Sequence, residues 1–113
     1  MTTTWDELPD TVTTFMTALD AREVDRVLAT LTPDAVVTDE GHDYTSAEQI
    51  GTWVATAASE YTYTTTVTGA SVTATGVVVG QHLEGDFPGG VADLHYRFTL
   101  ADGGSISQVV IEP

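Results

Sequence analysis

A chain of 113 residues has room for one domain and one core, so residues 1–113 are read as a single domain. Hydrophobic residues make up 42 % and charged residues 18 %, which is the composition of a globular rather than a disordered chain. Cysteine is absent, which excludes disulfides, thiolate metal sites and a cysteine nucleophile. Seventeen acids face three bases, all arginine (Arg22, Arg26, Arg97), for a net charge of −14. Phosphate recognition needs a basic patch, so neither nucleic acid nor an anionic membrane is an expected partner. The acidity is read as a solubility device or as attraction for a cationic partner.

No stretch reaches the roughly 20 apolar residues of a membrane-spanning helix. The segment Met1 to Glu7 has neither a basic region nor an apolar run, so it does not read as a signal peptide, and a cytoplasmic location is the expectation.

Leu8, Val12, Phe15, Met16 and Leu19 fall on one helical face. Asp6 is the expected N-cap, with Pro9 in the first turn, where its missing N–H does no harm. Val24, Val27, Leu28 and Leu31 repeat the pattern in a shorter helix ended by Thr32-Pro33-Asp34. Ala35 to Asp39 reads as a strand, and Glu40 to Asp43 as a turn or hairpin tip. Ser46 to Gln49 is a capping box opening a third helix with Ile50, Trp53, Val54 and Ala57 on its apolar face.

The period then changes to two. Tyr61, Tyr63, Thr65 and Val67 alternate with threonines, followed by an expected turn at Gly69-Ala70-Ser71. Val72 to Thr75 extends the sheet toward Gly76. Val77, Val79, Gln81 and Leu83 share one face of the next strand. After a loop at Gly85 to Gly90, Leu94, Tyr96, Phe98 and Leu100 share a face, with Asp93, His95 and Arg97 on the other. Asp102-Gly103-Gly104 turns the chain into a last strand, Ile106 to Ile111. Helices segregated from a run of antiparallel strands give an α+β domain whose helices cover one face of a curved sheet.

This order, and four segments in particular, resembles the nuclear transport factor 2-like superfamily and its SnoaL-like branch. The segments are Phe15 to Asp25, Leu31 to Asp39, Ser46 to Trp53, and Gly85-Asp86-Phe87-Pro88-Gly89 with Leu94 to Leu100. The resemblance implies a cone: a strongly bent antiparallel sheet closed by three helices from the first half of the chain around an apolar pocket. It also implies a homodimer formed through the outer sheet face. The superfamily includes ketosteroid isomerases and polyketide cyclases together with proteins that catalyse nothing, so the fold leaves the function open.

By that resemblance Asp39 occupies the position of the isomerases' catalytic base. Desolvation disfavours a charged carboxylate in an apolar cavity, which suits proton abstraction beside a carbonyl or acid–base help in a ring closure. The family's oxyanion donors are missing: Phe15 stands where a helix-one tyrosine is expected and Leu94 where a second acid is expected. Gln81 and Tyr96 face inward and are candidate replacements, while Phe15, Val37, Trp53 and Leu94 are expected along the wall. The expected ligand is a small hydrophobic molecule. His42 is placed near the pocket mouth and His82 and His95 on the outer face, too scattered for a metal site. No cofactor motif is present. The two functions in view are an isomerase- or cyclase-type catalyst with Asp39 as base, and a non-catalytic ligand-binding or dimeric scaffold protein.

Overall fold

The computed structural model describes residues 5–56 and 63–113. A 3₁₀ turn (Trp5–Glu7) leads into α1 (Asp10–Asp20) and α2 (Val24–Ala29). A hairpin of β1 (Leu31–Asp39) and β2 (His42–Tyr44) follows, then α3 (Ala47–Thr56). The second half holds β3 (Tyr63–Val72), β4 (Gly76–Gly85), β5 (Val91–Leu100) and β6 (Ile106–Glu112). The described strands form one curled, open sheet in the order β2-β1-β6-β5-β4-β3. Neighbours are antiparallel except β1 and β6, which run parallel. This is the expected α+β architecture, with the three helices laid over the concave face.

The helices follow local rules. The first begins at Asp10 rather than after Asp6, with Pro9 as N-cap at ψ 142°. Proline drives the residue before it out of the helical region, so Leu8 cannot be helical, and the Pro9 carbonyl accepts from Val12 and Thr13 instead. The C-terminus of α1 is a Schellman motif: Glu23 N–H donates to the Ala18 carbonyl and Arg22 N–H to that of Leu19. Arg22 takes the left-handed position at φ 57°. At the start of α3, Gln49 N–H donates to Ser46 Oγ, and the Gln49 side chain accepts from Thr45 N–H. The capping box therefore closes one residue earlier than its standard form.

Three expectations are corrected by the strand register. Leu31 belongs to β1, where it pairs with Ile106. The strand tolerates Pro33 because the register shifts between Leu31 and Val36, a bulge that needs no ladder N–H there. Gly69-Ala70-Ser71 is not a turn. It lies inside β3, past a bulge between Val67 and Gly69, and the chain reverses at Thr73 to Thr75. The bulge keeps Val67 and Ala70 on the same face as Gln81 and Val79, their partners on β4. Ala57 and Tyr61 lie outside the described residues.

The core sits between α1, α3 and the concave face. Phe15 packs edge-on against Phe98, centroids 5.3 Å apart, and lies 6.4 Å from Trp53. Val12, Val27, Val37, Val54, Val79, Ile106 and Val109 are fully buried around them. Removing this apolar surface from water, at about 25 cal/mol per Å², is the main favourable contribution to holding helices on sheet.

Candidate functional site

Two rows of side chains cross the concave face, and their depth decides which residues meet a ligand. The deeper row runs Val37, Val109, Phe98 and Val77 through successive strand pairings. The next row toward the open end runs Asp39, Ile111, Tyr96 and Val79. Inward side chains alternate along a strand, so these rows are adjacent layers of one face. The first is covered by Phe15 and belongs to the core. The second, through Asp39, Ile111 and Tyr96, borders a cavity of about 620 Å³.

Phe15 and Val37 are therefore not wall residues. Both are fully buried, and neither reaches the cavity, because the Phe15–Phe98 contact closes the core beneath it. Trp53, Gln81, Leu94, Tyr96 and Asp39 do line it. His42 is exposed on β2 against a shallow groove with Glu48 and Thr52, outside the main cavity. His82 and His95 lie on the convex face, and among the described residues no group of potential ligands is gathered for a metal ion.

Asp39 ends β1, directly before the turn into β2. Trp53 Nε1 donates to Asp39 Oδ2 at 3.0 Å, tying the carboxylate to α3. A buried indole N–H requires a partner, and this bond fixes both the ring and the acid. The other oxygen, Oδ1, has no partner among the described residues. Asp39 and Tyr96 flank Ile111 on the same face, two strand spacings or roughly 10 Å apart at the backbone. A small ring resting on Ile111 could touch both.

Tyr96 and Gln81 are only 7 % and 8 % exposed, and neither side chain has a hydrogen-bond partner among the described residues. No fully occluded side-chain polar atom is left unpaired, so their free groups open on the cavity. They are diagonal neighbours on β4 and β5, since Tyr96 pairs with Val79 and Gln81 with Leu94. Burial, reinforced by Tyr63, Asp39 and Asp20, holds the Tyr96 hydroxyl proton well above the usual tyrosine range. Tyr96 is consequently a committed donor at neutral pH.

The wall is less apolar than the sequence suggests. Met16, Leu19, Leu83, Leu94 and Ile111 line its apolar part. Asp20, Glu40, Tyr44 and Tyr63 also line it, Phe87 and Pro88 reach it from the β4–β5 loop, and Glu112 borders it at the end of β6 while its carboxylate pairs with Arg97 on the convex face. Two of these acids carried local signals. Asp20 ends α1 with no basic residue in the last turn, where the helix dipole disfavours an acid. Glu40 sits at φ 53° in a two-residue turn with Gly41, a position that favours asparagine or glycine.

The profile of the SnoaL-like domain matches residues 12–109. The chain belongs to the SnoaL-like family, within the nuclear transport factor 2-like superfamily. A Sinorhizobium meliloti protein assigned as a polyketide cyclase is 30 % identical, with 97 % of this chain and 100 % of that one covered and a TM-score of 0.86. More distant solved structures share the fold. One is a Catenulispora acidiphila protein with a ketosteroid isomerase-like fold, in complex with trimethylamine: 18 % identity, TM-score 0.77, covering 94 % and 86 % of the two chains. Another is a Mycobacterium tuberculosis protein in complex with estradiol-17β-hemisuccinate: 14 % identity, TM-score 0.73, covering 91 % and 90 %. Comparison with curated proteins finds no significant match.

Proposed function

We propose that this SnoaL-like protein is an acid–base catalyst for a small carbonyl compound with an apolar body, of the isomerase or cyclase type. The observation that carries the reading is one carboxylate, Asp39, oriented by Trp53 in a cavity that also holds two unpartnered donors, Tyr96 and Gln81. The likeness to the S. meliloti protein and the ligand complexes of two fold neighbours support it.

In this reading Asp39 Oδ1 removes the proton beside the carbonyl. The C–H electron pair forms the enolate double bond, and the carbonyl electrons move to oxygen. The Tyr96 hydroxyl and the Gln81 amide donate to that oxygen, replacing the donors absent at Phe15 and Leu94. The protonated Asp39 then returns its proton to another carbon, or to the alkoxide formed when the enolate carbon attacks a second carbonyl. Trp53 positions the base.

The test is deuterium exchange of the acidic α-protons of 2-tetralone in D₂O, followed by NMR. The wild-type chain exceeds the buffer rate, and Asp39→Asn loses on the order of 10²-fold or more of that excess. Equal excess rates in the two proteins, or none in either, would overturn the assignment. Binding of 2-tetralone without exchange would point to the non-catalytic ligand-binding alternative.

A further inference from the structure

The polar groups of the cavity are arranged unevenly. Neutral donors, Tyr96 and Gln81, lie at its buried wall, and carboxylates gather toward its exposed side. Glu112 forms an ion pair with Arg97, and among the described residues Asp20, Asp39 and Glu40 form none. No lysine, arginine or histidine is among the described residues that line the cavity. Arg22 is close enough to ease the proton of Tyr63, but burial and Asp20 outweigh it, and the Tyr63 hydroxyl is held above its ordinary range. For both phenols burial is the larger cause, and Asp20 and Asp39 add to it.

Local structure would not choose two of these three acids. Asp20 opposes the dipole of its own helix, and Glu40 occupies a left-handed turn position. Each gives up backbone stability and delivers a carboxylate to the opening. Aromatic rings line the same cavity: Tyr44 tilts against Trp53 at 6.0 Å, and Tyr63 meets Phe87 edge-on at 6.3 Å.

We propose that the opening between Asp20 and Glu40 binds an ammonium group, and that the ligand class is an amphipathic organic amine whose apolar carbonyl end reaches Tyr96 and Gln81. The carbonyl half of this statement rests on the acid–base reading; the ammonium half rests on the carboxylates and rings alone. Carboxylates at the rim of a low-dielectric cleft focus a negative potential that concentrates cations. An alkylated ammonium gains further attraction over tyrosine faces. The same field opposes build-up of enolate charge inside the cavity, and a bound ammonium cancels part of it. An anionic carbonyl compound gains none of these terms.

The experiment measures Kd by calorimetry for three probes of one shape: 2-naphthylmethylammonium, 2-naphthylmethanol and 2-naphthoate. At low ionic strength the ammonium binds about tenfold or more tighter than the alcohol, the carboxylate binds weakest, and the gap narrows in about 0.5 M salt. The double variant Asp20→Asn/Glu40→Asn closes the gap without changing the affinity for the alcohol. Asp102→Asn, in the turn before β6, removes the same kind of charge and keeps the gap. Glu40→Asn suits its turn, so the double variant is expected to fold. Equal affinities for ammonium and carboxylate, or a gap that survives the double variant, overturn the ammonium site. If 2-tetralone still exchanges in an Asp39-dependent way in that event, the acid–base reading stands; if the alcohol and 2-tetralone fail to bind as well, both readings fall.

Discussion

Replacing Tyr96 by phenylalanine separates function from stability at a single atom. The ring is packed, with its centroid 6.4 Å from that of Phe98, and phenylalanine retains that contact. The hydroxyl makes no bond to the described residues, so deleting it removes none of theirs. A structural tyrosine hydrogen bond contributes about 1 kcal/mol net, and an unsatisfied polar group costs about 1–3 kcal/mol when fully dry. The Tyr96 hydroxyl lies between these cases because it opens on the cavity. Tyr96→Phe is therefore expected to leave the unfolding free energy unchanged or to raise it by up to about 1 kcal/mol. If the hydroxyl donates to a developing oxyanion, the same variant loses about 10²–10³-fold in exchange rate. Urea unfolding measures the first effect and 2-tetralone exchange the second, on one preparation. A variant destabilised by about 1 kcal/mol or more that exchanges at the wild-type rate would refute the argument, showing a structural hydroxyl with no part in the chemistry.

Tyr63 and Tyr96 hold their protons above the unfolded value of 10.0, so the folded state keeps protons that the unfolded chain releases. Their contribution is complete below pH 10 and shrinks as the pH rises beyond it. Alkaline urea titrations should show this decline, and Tyr63→Phe/Tyr96→Phe should flatten it; an unchanged slope would count against it. Gly76→Ala should cost at least about 3 kcal/mol or prevent folding. A Cβ there would lie 1.8 Å from the Phe98 carbonyl oxygen, which is backbone and cannot yield; a wild-type melting temperature would contradict that geometry. On the convex face, the hydrogen bond to Asp93 raises the His82 midpoint above 6.5. NMR titration of Asp93→Asn should find it lowered, and an unmoved midpoint would show that the 2.6 Å contact does not persist in solution.

The elements that could be read from the sequence are those specified by neighbours in the chain. Val77 to Leu83 and Leu94 to Leu100 alternate without interruption, and the structure puts those faces inward. Ser46 and Gln49 announced the third helix through a cap that needs four residues to recognise. Features that depend on register were hidden. The bulge after Val67 rephases a strand whose threonines fit either face, so glycine there looked like a turn. Pro33 looked like a boundary because no sequence pattern announces a register shift in β1. The distinction between Val37 and Asp39, one layer apart, exists only once β1 has docked beside β6. The Trp53–Asp39 bond likewise joins α3 to β1 through tertiary placement. Asp20 and Glu40 were different: their clash with helix dipole and turn geometry was local, and reading acids against local propensity would have flagged both.

The parallel pairing of β1 with β6 also bears on how the molecule assembles. The hairpin of β1 and β2, and the meander from β3 to β6, each close over short loops. The Val37–Val109 pairing joins partners roughly seventy residues apart, and contacts of such separation are slow to form. Asp39 arrives with the hairpin, and Tyr96 and Gln81 arrive with the meander. Ile111 is the residue both sides share. The groups of the proposed site would thus come into register at the latest step of folding, and a population that had lost only the β1–β6 seam would retain most of its strands while holding no site at all.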